Sequence, residues 1–199
     1  MISYLKAHLS LSLLFSCVTM ANMAPGGFKP FVRTYFIETG SLKGNAIRQA
    51  LTAGFKKVRS LEIDQSLVRD VQRRFKNNPD VLVIQGESGA MLYDMIKDIN
   101  QEVTFWLDAH NGTYNPSGNN TPILRELEQI KQHHIKTHTI LIDDMHCAGK
   151  ELFDFITKDM IIAKIKEINP DYEISYVTGG DDGECPENVM VARVHPQNE

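Results

Sequence analysis

The chain has 199 residues, 42% of them apolar and 23% charged, with a net charge of −4 and a pI near 6.0. This fits one globular domain with a sizeable core plus a short extra segment. The balance excludes an ordinary nucleic-acid binder, because no basic stripe is there to neutralise a phosphate backbone.

The first element is the stretch 1–27, MISYLKAHLSLSLLFSCVTMANMAPGG. Lys6 is followed by an uncharged run from Leu9 to Ala21, then small residues, then a break at Pro25, Gly26 and Gly27. That is the layout of a secretory signal with Thr19-Met20-Ala21 as its cleavage site, and the apolar part is too short to span a bilayer comfortably. The expectation is an exported or membrane-tethered chain whose folded domain covers 28–199; the alternative is a buried N-terminal helix on a cytoplasmic protein. LFSC at 14–17 also looks like a lipoprotein box ending at Cys17, with the bulky Phe15 at a position where such boxes carry a small residue. Of the other cysteines, Cys147 and Cys185 are expected as near neighbours, able to pair in an oxidising compartment or to pack as small apolar residues.

From residue 32 onward strand-like and helical runs alternate. Strands are predicted at 34–39, 58–63, 81–85, 103–108 and 138–143, with helices at 44–54, 66–77, 88–99 and 121–134 between them. Thr121 and Pro122 read as the N-cap and first residue of the last helix. A helix near 158–168 and strands at 172–178 and 188–194 complete the chain. Such alternation predicts a parallel sheet with helices on both faces. The last two strands are joined by too few residues for a crossover helix, so they pair antiparallel.

In open α/β sheets ligands bind beyond the carboxyl ends of the strands, where the strand order reverses. The main polar clusters of this sequence fall there: Glu38, Thr39 and Gly40; Glu62 and Asp64; Gly86, Glu87 and Ser88; Asp108 and His110; Asp143, Asp144 and His146. Gly40 and Gly44 let the backbone of the first turn pass close to a ligand, and the following helix offers unpaired N–H groups to a carboxylate or phosphate. Their spacing lacks the three-glycine dinucleotide fingerprint. Glu62, about 22 residues past Gly40, stands where an acid accepts ribose hydroxyls. Alternatively the glycines only serve a tight turn.

These residues resemble the class I S-adenosylmethionine-dependent methyltransferases, which carry acid-x-Gly-x-Gly-x-Gly after the first strand. Here the stretch is Glu38-Thr39-Gly40-Ser41-Leu42-Lys43-Gly44, with Leu42 at the middle glycine. Glu62 in SLEID matches the family's ribose acid, and Glu87 in QGES stands where the family often has an acidic or polar residue near adenine. The resemblance covers 34–194. It implies a Rossmann-like, doubly wound, mostly parallel seven-stranded sheet with a terminal antiparallel pair, and S-adenosylmethionine as cofactor on Glu38, Gly40, Ser41, Gly44, Glu62, Glu87 and Ser88.

The second constellation is FWLDAH with ILIDDMH. Asp108, Asp143 and Asp144 stand at the ends of neighbouring strands and can converge on a hard cation such as Mg²⁺. Macrocin-type O-methyltransferases are similar here, with an aspartate after strand four and an Asp-Asp pair after strand five. The resemblance implies that these three residues bind metal and orient the hydroxyl of a small-molecule substrate, with Asp108 or His110 taking its proton. Two alternatives stand beside this: the aspartates cap the next helix, or His110 and His146 join Asp108 or Asp143 in an iron or zinc site. The polar loop 111–120 reads as a lid, a recognition element or a plain solvated connection. His133 and His134 are expected to complement a helix dipole, and Trp106 is expected in the core.

S-adenosylmethionine is a cytosolic metabolite, which sits uneasily with an exported N-terminus. Three classes therefore stay open: a metal-assisted O-methyltransferase, a catalytically silent nucleoside-binding protein, and a metal-dependent enzyme that does not use the methyl donor.

Overall fold

The computed structural model describes Met23, residues 26–179 and residues 185–195, with the side chain of Cys185 outside that description. The signal-like stretch before Met23, its Cys17, and the proposed pairing of Cys147 with Cys185 lie outside the described residues.

Seven strands form one sheet: β1 (Tyr35–Thr39), β2 (Lys57–Glu62), β3 (Val81–Gln85), β4 (Thr104–Leu107), β5 (Thr139–Ile142), β6 (Glu173–Gly179) and β7 (Cys185–Arg193). Their order is β3-β2-β1-β4-β5-β7-β6. The first five pair in parallel, and β7 runs antiparallel to both β5 and β6. The doubly wound sheet and its terminal antiparallel pair are thus as the sequence predicts. Strand order reverses between β1 and β4, so a crevice opens above Thr39 and Leu107, which are register partners.

Period-two alternation divides the strand residues between two cores. Ile37, Leu61 and Phe105 face one layer, made by α3 (Ser88–Ile96), α4 (Ile123–Gln132) and α5 (Lys158–Ile168). Phe36, Val58 and Trp106 face the other, made by α1 (Asn45–Ala53), α2 (Gln65–Arg74) and the segment around Met23 and Phe28. Trp106 is buried, with the Phe28 ring edge-on to it at 5.1 Å. Met23 is buried too, and its carbonyl accepts from Gln49 Nε2 at 3.2 Å. The chain therefore joins the core before residue 28.

Local chemistry sets the helix ends. Asp64 caps α2 by accepting from the N–H groups of Ser66 and Leu67, and Thr157 caps α5 through Met160. Gly54 ends α1 in the left-handed region. Pro122, rather than Thr121, holds the N-cap position of α4, with no side-chain cap. β4 ends at Leu107 and β5 at Ile142, one residue short of the predicted strands, which releases Asp108 and Asp143 into the crevice. No helix among the described residues is long and apolar enough to cross a membrane.

His133 differs from its expected role. It is buried, its Nε2 donates to the Ile99 carbonyl at 3.1 Å, and its Nδ1 accepts from His138 Nε2 at 2.9 Å. His138 Nδ1 in turn accepts the Val103 N–H at 3.2 Å. Burial pushes the His138 imidazole down to about 3 and lowers His133 as well, so both rings are neutral structural links at the end of the sheet opposite the crevice.

Candidate functional site

The turn after β1 is shaped by residues with positive φ. Gly40 lies at φ +81°, and a Cβ there would stand 2.5 Å from the Asp108 carbonyl oxygen, so only glycine lets β1 turn across the end of β4. Gly44, at φ +73°, starts α1 against Phe75 and Val71. Leu42, where the resemblance has glycine, also lies in the left-handed region at φ +43°. What holds it there is Glu62: the Leu42 N–H donates to Glu62 Oε2 at 2.9 Å, while the Asp64 N–H donates to Oε1 at 3.0 Å. The buried Glu62 carboxylate is thereby aimed from β2 toward the turn, with acceptor capacity left on both oxygens.

A small open cleft lies beside this turn, lined by Glu38, Gly40, Ser41, Leu42 and Asp108 among others. The Ser41 hydroxyl is buried there without a hydrogen-bond partner, an arrangement that favours a polar ligand. Glu38 is fully buried and accepts a hydrogen bond from the Ser60 hydroxyl. Loss of solvation pushes its carboxyl up to about 8, against the pull of Ser60 and with a further push from Glu62. At the next strand end Glu87 caps α3 through the Gly89 N–H at 3.1 Å and pairs with Arg125 at 3.1 Å, and the buried Ser88 begins the helix.

The acids after β4 and β5 gather on the other side of the reversal. Asp108, His110 and Asp144 each offer one donor atom, all within 4.8 Å of one another. His110 lies between the carboxylates, with Nε2 at 3.1 Å from Asp144 Oδ2 and Nδ1 at 3.6 Å from Asp108 Oδ1. Asp143, expected as the third ligand, stands outside this group because its Oδ1 accepts the Asp144 N–H at 2.7 Å and Asn188 Nδ2 at 3.0 Å. Burial raises Asp108 and Asp143 well above the usual carboxylate range, and neighbouring acids raise them further.

Asp144 itself adopts φ +55° at the start of a short 3₁₀ turn and makes no side-chain cap, which removes the capping alternative for it. Asn188 of β7 links the group: its Nδ2 donates to Asp143 and, at 3.2 Å, to Asp144, so its Oδ1 must accept. His146 supplies that proton, Nδ1 to Oδ1 at 2.6 Å, and is held outside the three-donor cluster. Nothing in the sequence around Asn188 signals this role.

Loop 108–121 forms the outer wall. Asp154, at φ +49°, accepts from the Asn120 N–H at 2.8 Å, Asn120 Nδ2 at 2.7 Å and the Thr121 N–H at 3.3 Å. This ties the loop to the segment after β5. A second small cleft lies beneath it, reaching from Asp108 and His110 to Glu126 and Phe153.

No protein-family model matches the chain, and no curated protein matches it in sequence. Solved structures do. An O-methyltransferase from Bacillus cereus in complex with S-adenosylhomocysteine is 14% identical, with a TM-score of 0.57, 84% of this chain and 77% of that chain covered. An S-adenosylhomocysteine-bound methyltransferase of Podospora anserina is 13% identical, with a TM-score of 0.53 and 82% and 72% covered. The N-methyltransferase NodS of Bradyrhizobium japonicum, also with S-adenosylhomocysteine, is 8% identical, with a TM-score of 0.53 and 84% and 80% covered. At these identities what is shared is the Rossmann-like fold.

Proposed function

We propose that this chain is an S-adenosylmethionine-dependent methyltransferase acting on a hydroxyl of a small molecule, with a divalent cation assisting. The observation that carries the reading is the turn between β1 and α1. A glycine that nothing larger can replace and a partnerless buried Ser41 hydroxyl line one cleft, and a ribose-type acid, Glu62, accepts the Leu42 N–H of the same turn. The fold shared with methyltransferases that bind S-adenosylhomocysteine supports it.

S-adenosylmethionine supplies an electrophilic methyl group on a sulfonium. On the protein side, Glu62 accepts the ribose hydroxyls. The N–H groups at the start of α1, with the Ser41 hydroxyl, take the amino-acid carboxylate. Glu38 and Asp108 line the same cleft, where a sulfonium cation would favour the ionised carboxylates that burial disfavours. Asp108 and Asp144 would hold the cation; two carboxylates with completing waters suit Mg²⁺ or Mn²⁺, for which an imidazole is a poorer ligand. A cation held by them would lower the pKa of a nearby hydroxyl. His110, with Nε2 at 3.1 Å from Asp144 and Nδ1 at 3.6 Å from Asp108, is the base placed to accept the hydroxyl proton. Asn188 and Asp143 keep Asp144 in place.

Calorimetric titration of the full chain with S-adenosylhomocysteine tests the reading. Binding is expected, and Glu62→Ala should weaken it by about 1–3 kcal/mol, the typical value of hydrogen bonds to a charged acceptor. Absence of binding to the parent chain would overturn the assignment.

A further inference from the structure

The two helical layers carry their charges differently. In the layer of α4 and α5 the cations are matched: Lys131 pairs with Glu167 at 2.9 Å, and Lys164 pairs with Glu128 and, at 3.0 Å, with Glu167. In the layer of α1 and α2 they are not. Residues 40–79 hold nine Lys and Arg against three acids, and one of those acids, Glu62, is buried. Lys43, Arg48, Arg69, Arg73, Arg74 and Lys76 are exposed on this layer. Arg73 alone of the six forms an ion pair among the described residues, with Asp70 at 3.3 Å. The other exposed acid, Asp64, is engaged as the cap of α2. Arg74 donates to the Lys43 carbonyl and, at 3.4 Å, to Asn45 Oδ1, which brings the end of α2 to the start of α1 and joins their cations in one surface. The net charge of −4 conceals this separation.

The same layer receives the chain from the N-terminal stretch. Met23 packs in the core with Ala46 and Ala50 of α1, and its carbonyl accepts from Gln49, the residue after Arg48. The uncharged run Leu9–Ala21 ends two residues earlier, so its end lies within about 7 Å of Met23 by chain length alone. A single apolar attachment that does not span the bilayer is weak and reversible, and a polybasic surface is the second signal that makes it stable. A nucleic acid would use the cations but has no need of the apolar run.

We infer that the α1–α2 face docks on an anionic lipid bilayer, with the cations of this layer against the headgroups and the run Leu9–Ala21 in the membrane. The leaflet that exposes anionic lipid is the cytoplasmic one, which is also the side on which S-adenosylmethionine is found. Docking itself does not depend on the cofactor reading.

The experiment is co-sedimentation of the full chain with vesicles of phosphatidylcholine alone and of phosphatidylcholine with phosphatidylserine. Each cation near an anionic surface strengthens binding about five-fold, so the parent should prefer the anionic vesicles by about a hundred-fold or more, and added salt should shrink that preference. Arg48→Gln/Arg69→Gln/Lys76→Gln should cut the preference about ten-fold or more, while binding to phosphatidylcholine alone, carried by the apolar run, stays as in the parent. Lys131→Gln/Lys158→Gln/Lys166→Gln, which removes the same charge from α4 and α5, should change it by less than about three-fold. Thermal melting unchanged from the parent identifies both variants as folded. A parent that binds both vesicles equally, or equal losses from the two sets of substitutions, overturns the inference. So does tighter binding of a single-stranded RNA oligonucleotide than of the anionic vesicles, which would point to a nucleic-acid partner.

Discussion

Asp144→Asn separates a cation ligand from a structural acid. Asn tolerates the left-handed φ of +55°, and its side-chain oxygen can still accept from Asn188 Nδ2, at 3.2 Å in the parent. What the variant loses is one negative charge. That charge is the largest of the neighbouring-acid contributions raising Asp108, after loss of solvation, and it contributes at Asp143 as well. Two carboxylates about 4 Å apart repel by roughly 4 kcal/mol at an effective dielectric of about 20. Partial protonation of the cluster and the lost attraction of His110 reduce the net gain to on the order of 1 kcal/mol. For a domain of this size that raises Tm by about 2–4 °C. The assay is thermal unfolding in chelator and with Mg²⁺ or Mn²⁺. At about a hundred times its Kd a cation adds about 2.7 kcal/mol to the parent, so the parent should gain roughly 5–10 °C and the variant almost nothing. A variant that melts below the parent in chelator, or that gains as much from the cation, would refute the reasoning.

Gly40→Ala forces a Cβ against the Asp108 carbonyl at φ +81°; a loss of about 3 kcal/mol or more is expected by urea titration, and a near-neutral result would show that the turn does not need glycine. His138 has its folded pKa depressed from 6.5 to about 3. Between those values the unfolded chain binds the extra proton, so stability is full above about pH 6.5 and falls as pH drops toward 3. Urea midpoints at pH 7 and pH 5 should diverge less in His138→Asn than in the parent, and an identical pH slope would exclude this histidine as a source. Asp154→Ala removes the acceptor of three hydrogen bonds from Asn120 and Thr121; about 1–3 kcal/mol should be lost, with faster amide exchange concentrated at 115–121, and uniform exchange would argue against a local tie.

The legible part of the fold is the part governed by short-range periodicity. Apolar runs such as TYFIET and HTILID, separated by amphipathic stretches, reveal strands and helices. The parallel pairing follows from the length of the connections, and the β6–β7 antiparallel pair from a link too short for a helix. Where the chain deviates, a side chain has found a partner distant in sequence. His133 sits at a helix end that suggests a solvated cation, but His138 and the Ile99 carbonyl draw it inside.

The site divides along the same line. Gly40, Glu62 and Asp108 are readable because strand ends converge in this topology, and residue type then limits the chemistry. The selection among Asp108, Asp143 and Asp144 is not readable, because Asn188 and the Asp144 N–H occupy Asp143 from positions that sequence spacing does not couple. Left-handed backbone at Leu42 and Asp144 is equally hidden, since neither is glycine and each is held by tertiary hydrogen bonds. Both lie just past the carboxyl ends of strands, where strain persists only if the surroundings over-determine it. Glu126 is the instructive case: the spacing of Ile123, Leu127 and Ile130 marks its position as core from sequence alone. An acid on a buried stripe is a local rule broken without local compensation, and such breaks are expected where a ligand supplies the missing partner.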